Sequence, residues 1–522
     1  MEKEIEWDEV DLEAEDTPMK SYFRHKNIFI TGGTGFIGLL YVEKLLRINV
    51  KCIYLLTRTK KGKTPQERLK DMFSGVVFHK IKKINPNYLE KIRIVEGDLG
   101  AIDLGIKEEV LQDIYDNVDI VLHAAADVRF DEKLTKLLVY NLRGTRELLK
   151  ICEGIKNLET IGYISTAYSN CYRLYCEEKF YPSPVDPDVM IKFGEKYFNT
   201  PEDELIIKIT DKIISPWPNT YTYTKCLSEE LIRRAGEKFK ICVIRPSIVI
   251  STEDDPVPAW CNNIYGLNGV IVACGLGLLR IMPCADQNVG DVVMADFVSN
   301  GTLAAIWHTN EKIDHKTDPV PKIYHISTSA DSPVTWRTIN ESVFHIARSY
   351  PSRLSMWHPT NNYTTNTFMW VYCNLVYHVF PAIIFDLFLR ITGNEPKLLA
   401  AYRKIVRFMD ALRFFMSNQW YFKTGNLSSI IDQMHVYDKV YFPCDVRKYK
   451  WDTYSFNYYH GIKRYLGNDD INQTQKYVFK AKILKWSHNL IKFLYYSFLI
   501  YMSFVLLRKF GFISYIADIF DV

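Results

Sequence analysis

In the stretch Asn219-Thr-Tyr-Thr-Tyr-Thr-Lys-Cys-Leu-Ser-Glu-Glu230, two tyrosines stand within four residues of one lysine. A phenol beside an ammonium is a potential acid, because its ordinary pKa of about 10 falls when positive charge stands next to it. On a helix, residues four apart share a face and residues two apart diverge, so Tyr221 can share a site with Lys225 while Tyr223 points elsewhere. Taken alone, such a pair is an ordinary solvated helix face in a chain with 34 tyrosines. Its meaning depends on the elements that position it.

Upstream, residues 27 to 38 read NIFITGGTGFIG, a short β-branched run followed by glycines at 32, 35 and 38 and then a helix-like segment ending in LLYVEKLLR. A strand, a GxxGxxG turn and a helix form the dinucleotide-binding turn, in which glycines let the backbone approach a pyrophosphate and the helix N-terminus faces its charge. Gly32, Thr34, Gly35, Phe36, Ile37 and Gly38 are therefore candidate cofactor contacts. The next strand, Cys52 to Arg58, ends about 20 residues past Gly38, where an acid would hold the ribose hydroxyls of NAD. Arg58 stands there instead, followed by Lys60 and Lys61. A cation at this point accommodates a 2′-phosphate, so NADPH is expected over NADH, with Arg58 as the main contact.

The alternation continues through IRIVEGDL (92–99), DIVLHAAADV (119–128), TIGYISTAY (160–168) and KICVIRPSIV (240–249). Each apolar run ends in small or polar residues, as in parallel strands buried on both faces whose C-terminal ends border a ligand crevice. The fold class is thus α/β, a Rossmann-type doubly wound parallel sheet, followed by a mainly helical region and a hydrophobic tail. Asp98 and Leu99 are expected near the adenine, Ala124 and Ala125 near the ribose and pyrophosphate, and Ser165 and Thr166 near the nicotinamide. Pro246 and Ile248 lie in the strand after the Tyr221 helix. Ser165 and Thr166 alternate across their strand, so only one of the two hydroxyls faces the crevice. In this order the Tyr221–Lys225 pair falls where a nicotinamide would lie.

TGGTGFIG, GDL, HAAADV, Asn141 in YNLRGT, ISTAY, the YxxxK at 221–225 and RPSIV resemble, in this order, the extended short-chain dehydrogenase/reductases. EEKFYPSPVDP (177–187), residues 275–300, YHVFPAIIFD (377–386), FMSNQWYFKTGN (415–426) and the stretch from Trp451 to GIKRYL (461–466) make the chain look like a fatty acyl-CoA reductase, chiefly of the insect type, with a male-sterility-like C-terminal domain. The resemblance implies reduction of a long-chain acyl-CoA thioester to an alcohol by two NADPH. It makes Tyr221 the proton donor to the carbonyl oxygen. Lys225 would lower the phenol's pKa and hold the ribose, and Asn141 would support Lys225 through water. Collapse of a hemithioacetal would expel the coenzyme A thiolate and leave an aldehyde for the second hydride, with neither metal nor acyl-enzyme required. At Val293-Met294-Ala295-Asp296 the chain departs from the family's Pro-Val-Asp, keeping the acid. Other functions open to this fold are oxidation or epimerisation of a sterol or nucleotide sugar, and NADPH sensing by a membrane-bound protein without turnover.

The 522 residues carry 65 basic and 61 acidic side chains, a net charge of +4 that names no nucleic-acid partner. Residues 1–23 read as an acidic disordered leader without a secretory signal, 24–345 as the NADPH-binding reductase domain, 355–470 as the C-terminal domain and 476–522 as a membrane-associating tail. Residues 493–507 lack charge and follow Lys492, so the segment 490–507 is the expected membrane contact, spanning or lying in the interface. The 11 cysteines lack metal-ligand spacing, which suits a reducing, cytosol-facing catalytic part on the endoplasmic reticulum, a peroxisome or a lipid droplet. A homo-oligomer stays open. Phe368 to Leu389 reads as almost a second membrane span; with Pro381 inside it and Asp386 near its end, it is expected to line part of an acyl tunnel or to pack on the membrane. His378 within it, Cys226, Trp420, Phe422, Trp451 and Tyr454 read as packing residues.

Overall fold

The computed structural model describes residues 16–360, 362–469 and 475–509. Most of the acidic leader (1–15) and the end of the tail (510–522) lie outside the described residues. Seven parallel strands make the central sheet: β1 Asn27–Thr31, β2 Cys52–Thr57, β3 Ile92–Glu96, β4 Ile120–His123, β5 Thr160–Ile164, β6 Ile241–Pro246 and β7 Lys322–Ile326. Their spatial order is β7-β6-β5-β4-β1-β2-β3. Successive residues serve opposite faces. Ile28 and Ile30 join one hydrophobic core with Leu122 and Ile244, whereas Phe29 joins a second with Val121, Ile161 and Val243. Helices cover both faces, which is why these strands read as unbroken apolar runs. The expected doubly wound sheet is present, with one strand more, since β7 (KIYHI) extends the β6 edge in parallel register from Lys322↔Cys242 to Ile326↔Pro246.

The order reverses between β1 and β4, and at that switch point Thr31 stands opposite His123. Ligands of open parallel sheets bind in the crevice there. Thr31 Oγ1 lies 2.6 Å from His123 Nδ1, and His123 Nε2 lies 3.1 Å from Thr145 Oγ1, so the buried imidazole bonds at both nitrogens.

Two expectations about boundaries change. Within the segment expected as leader, Pro18–Arg24 is a helix capped by Thr17, and its Met19, Tyr22 and Phe23 are buried. Thr17 Oγ1 donates to Asp438 Oδ1 in the C-terminal region. The apolar spacing of Met19, Tyr22 and Phe23 gives this short helix one face that must be covered, so it docks instead of remaining a leader. Nor do the two larger parts have separate cores. Val298 and Ile306, packed on the sheet, share a cluster with Met409, Tyr454 and Tyr458, and Tyr421–Phe422 pairs in parallel with Tyr175–Cys176.

Among the described residues, two helices, Thr367–Ile391 and Tyr477–Lys509, are long and apolar enough to cross a membrane by length and composition; the first is 22% buried and the second 0%. Asp386 near the end of the first accepts from the Leu398 and Leu399 N–H groups, both at 2.9 Å. This carboxylate therefore caps the next helix, Leu398–Ser417, and the two form a hairpin whose second arm carries Arg403, Lys404, Arg407 and Arg413.

Candidate active site

The crevice begins at the glycine turn. Gly32 has φ +78°, and a Cβ on it would stand 2.6 Å from Ala124 C and Ala125 N, so only glycine lets the turn pass against the end of β4. A Cβ on Gly38 would collide with Gly32 O and the Gly33 backbone. Gly35 donates to Gly32 O at 2.9 Å and begins the helix Phe36–Ile48 with no side chain capping it. The first-turn N–H groups of that helix have no intrahelical acceptor. A cradle that side chains would fill, at an uncapped helix N-terminus, fits a pyrophosphate.

Arg58 leaves the end of β2 and donates from Nη1 to Asp98 Oδ2 at 2.7 Å, while Asp98 Oδ1 accepts from Gly100 N–H at 2.9 Å. The side chain of Leu99, the neighbour of Asp98, is 9% exposed and packs in the core against Gly144, behind the crevice. Sequence reasoning missed Arg68. Its Nη1 donates to the Arg58 carbonyl at 2.6 Å and its Nη2 to Thr34 Oγ1 at 3.0 Å, which joins the glycine turn to the end of β2 through a second guanidinium. Arg68 sits in PQERLKDMFS, a charged helix pattern that reads as solvated; only packing of the helix Pro65–Ser74 brings it to the crevice.

At the other end of the crevice, Asn219 caps the helix Thr220–Ala235, its Oδ1 accepting from Thr222 N–H at 2.9 Å. Tyr223 is 2% exposed and packs edge-on to Trp217 with centroids 5.5 Å apart. Tyr221 is half-buried and stacks on Phe130 at 6.0 Å. The two tyrosines diverge, Tyr223 entering a core cluster that does not include Tyr221. Lys225 Nζ donates to the Ile164 carbonyl at 2.6 Å and approaches Tyr163 Oη at 3.4 Å, reaching the end of β5.

The two hydroxyls after β5 differ. Ser165 Oγ donates to Glu229 Oε1 at 2.5 Å, and Glu229 is held by Arg245 through Nε at 2.9 Å and Nη2 at 2.6 Å; all three are buried. Ser165 therefore belongs to the ion pair that ties the helix to β6. Thr166 Oγ1 accepts from Tyr168 N–H at 3.2 Å, which leaves its own O–H to donate. Asn141 is buried within a wide π-helical turn, Leu138–Arg143. Its Oδ1 accepts from Asp127 N–H at 2.8 Å, and its Nδ2 donates to the Asp127 carbonyl at 3.0 Å and to Thr224 Oγ1 at 3.3 Å. It braces the end of the HAAADV segment against the Tyr221 helix. Pro246 is buried at the end of β6, and Ile248 packs at the edge of the cluster that holds Tyr223.

The electrostatics correct one expectation. Burial raises the Tyr221 phenol above its ordinary value, and no lowering by Lys225 accompanies it. Burial also pushes the Lys225 ammonium down to about 7, with the Glu229 carboxylate acting in the opposite direction. A lysine drawn to the Ile164 carbonyl and itself short of charge stabilisation is a weak source of positive potential for the phenol.

The packing residues lie where expected. Cys226, Trp420, Phe422, Trp451 and Tyr454 are buried, and burial raises the Cys226 thiol. His378 is buried with Nε2 accepting from Arg280 N–H at 3.1 Å. Asp296, the acid retained in Val-Met-Ala-Asp, accepts from the N–H groups of Glu253, Asp254 and Asp255 at 2.9 to 3.1 Å and so fixes that loop without the proline.

A family model described as male sterility protein, its NAD-binding part, matches residues 30–302, and a second of the same description matches residues 377–469. The chain is 34% identical over 499 residues to fatty acyl-CoA reductase wat of Drosophila melanogaster, covering 95% of both chains. It is 36% identical over 472 residues to fatty acyl-CoA reductase 2 of Homo sapiens, covering 90% of both. Among solved structures, the reductase domain of a nonribosomal peptide synthetase from Mycobacterium tuberculosis shares the fold with a TM-score of 0.55 at 15% identity, over 87% of this chain and 96% of that one. With a nicotinamide-cofactor cradle at one end of the crevice and a tyrosine–lysine pair at the other, the chain belongs to the fatty acyl-CoA reductase family.

Proposed function

We propose that the chain reduces long-chain acyl-CoA to a primary alcohol with release of coenzyme A, using NADPH. The observation that carries this reading is the approach of Lys225 Nζ to the Ile164 carbonyl, which fixes the Tyr221 helix against the strand end that presents Thr166. The acyl-CoA substrate is supported by the names of the relatives, which are fatty acyl-CoA reductases over nearly their whole length.

A bound NADPH supplies the hydride. Gly32, Gly35 and Gly38 make room for its pyrophosphate, with Phe36 and Ile37 opening the helix above it. Ala124 and Ala125 floor the crevice, Asp98 borders the adenine side, and Arg58 and Arg68 offer two guanidinium groups to a 2′-phosphate. As the carbonyl carbon accepts hydride, charge builds on its oxygen, where Tyr221 Oη delivers a proton and the Thr166 hydroxyl donates a hydrogen bond. Breaking the C–S bond of the resulting hemithioacetal returns the carbonyl and expels the thiolate, which takes up a proton as coenzyme A. The same two side chains then serve the aldehyde when it takes the second hydride. Lys225 holds the nicotinamide ribose and, through the Ile164 carbonyl, keeps the Tyr221 helix against the end of β5. Asn141 positions this helix through Thr224 Oγ1.

The apolar helix Tyr477–Lys509, with lysines before its uncharged stretch, supports attachment to a cytosol-facing membrane such as the endoplasmic reticulum, a peroxisome or a lipid droplet. The test is stoichiometric. Purified protein given NADPH and palmitoyl-CoA should release one free thiol and one fatty alcohol for every two NADPH oxidised. Unchanged NADPH and thiol over a range of acyl chain lengths would sink the proposal.

A further inference from the structure

A cavity of about 1350 Å³ lies away from the Tyr221 crevice, between the two exposed apolar helices. Phe380, Ile384 and Phe388 of one helix and Ile491, Tyr495 and Tyr496 of the other line it. The helices meet beside it, Tyr372 Oη standing 2.7 Å from Tyr495 Oη. The same cavity is lined by Arg280, Arg348, His488 and Lys492. Among the described residues no carboxylate pairs with Arg280, Arg348 or Lys492, and the buried Nε of Arg280 has no hydrogen-bond partner. The Arg280 guanidinium lies 5.8 Å from the Trp357 ring centre, and Trp357 donates through Nε1 to His488 Nδ1 at 3.1 Å. His358 joins the group, its ring 5.6 Å from that of His488. Burial and then the positive neighbours His488, Arg348 and Lys485 push His358 down to about 4.

An apolar cavity with an unneutralised cationic cluster in its wall matches an amphiphile with an anionic head. With its thioester at Tyr221, as the proposed function has it, the substrate would not bring its anionic coenzyme A head here. Leu398–Ser417 is the helix that links the cavity, at Leu398 and Tyr402, to the aromatic cluster around Tyr221, at Phe415. Phe415 lies thirteen helical steps after Tyr402, roughly 20 Å along the axis. An acyl chain running this way from a thioester at Tyr221 would bring its methyl end to the cavity, and a methyl group has no use for three cations. The open side of the cavity lies between two helices whose exposed faces are apolar, where a bilayer lipid can enter sideways.

We infer that this cavity binds an anionic membrane phospholipid, with an acyl chain between Phe380–Phe388 and Ile491–Tyr496 and the headgroup phosphate on Arg280, Arg348 and Lys492. The experiment is native mass spectrometry of the full chain released from detergent micelles, with dioleoylphosphatidylserine or dioleoylphosphatidylcholine added. Wild-type protein should retain phosphatidylserine in preference to phosphatidylcholine. The Arg280→Glu/Arg348→Glu double variant, and Lys492→Glu alone on the exposed helix, should each weaken that retention by about tenfold or more while the KM for acyl-CoA stays unchanged. Should the double variant fail to fold, Lys492→Glu decides. Equal retention of both lipids, or retention unaffected by Lys492→Glu, would overturn the inference. So would displacement of the lipid by free coenzyme A together with a raised KM for acyl-CoA, which would assign the cations to the substrate.

Discussion

Lys225 Nζ donates to the Ile164 carbonyl at 2.6 Å, so the lysine one turn after Tyr221 also fastens its helix to the end of β5. The bond is made by a group that burial holds at about 7, against an ordinary 10.5. A lysine with a depressed folded pKa weakens the folded state wherever the unfolded chain would carry the proton, because the folded environment holds that proton less well. The penalty is fully developed below about pH 7 and fades as pH rises towards 10.5. Lys225→Met should therefore gain thermal stability relative to wild type at pH 7, and the difference in Tm should shrink by pH 9.5. Melting curves at the two pH values check this, and a gap that widens with pH would reverse the sign.

Arg68 and Arg58 are proposed to read the 2′-phosphate together. Arg68→Ala removes one charge-assisted contact, so the KM for NADPH should rise roughly 10- to 100-fold while the KM for NADH moves little. Equal effects on the two cofactors would assign Arg68 to bracing the Thr34 turn alone.

Ser165 and Thr166 separate structure from chemistry. Ser165→Ala leaves the buried Glu229 short of a donor and should cost about 1–3 kcal/mol of stability. Thr166→Val also removes the acceptor of the Tyr168 N–H and should cost about 1 kcal/mol of stability, but its main effect should be a kcat lower by about 100-fold, the scale of losing one donor to a developing oxyanion. Calorimetry and steady-state rates on both variants distinguish the roles, and exchanged phenotypes would contradict them.

Truncation after Asn468 removes the helix Gln475–Lys509. The exposed face of Thr367–Ile391 remains, with Phe368, Phe380, Leu387 and Phe388 on the surface. The shortened protein should change from alkaline-carbonate-resistant to carbonate-extractable membrane binding without becoming wholly soluble in low salt. Recovery entirely in the supernatant at neutral pH would show that the hairpin has no affinity for the bilayer.

Local patterns reveal most of the sheet and half of the site. The glycine turn needs Gly32 and Gly38 because backbone passes where a Cβ would stand, a constraint printed directly in residue type. Strands β1, β4 and β5 are apolar on both faces and announce themselves. Tyr221 and Lys225 are one helical turn apart, and period alone separates Tyr221 from Tyr223. Other features depend on contacts distant in sequence. Arg68 reaches Thr34 across 34 positions, and Glu229 claims Ser165 across 64. The helix Pro18–Arg24 hides behind an acidic stretch, although Thr17-Pro18 and the spacing of Met19, Tyr22 and Phe23 give it a cap and an apolar face. The Tyr221 phenol escaped local reasoning altogether, because its acidity depends on the depth of its burial and on the direction Lys225 takes.

The most direct measurement is turnover of palmitoyl-CoA by Tyr221→Phe and Tyr223→Phe, with NADPH binding measured on the same preparations. Tyr221→Phe should lose about 100- to 10,000-fold in kcat and keep its cofactor affinity, as expected when a proton donor is removed. Tyr223→Phe, deep in the cluster around Trp217, should stay within a few-fold of wild type. Comparable losses in both variants, or an active Tyr221→Phe, would contradict the assignment of Tyr221 as the proton donor.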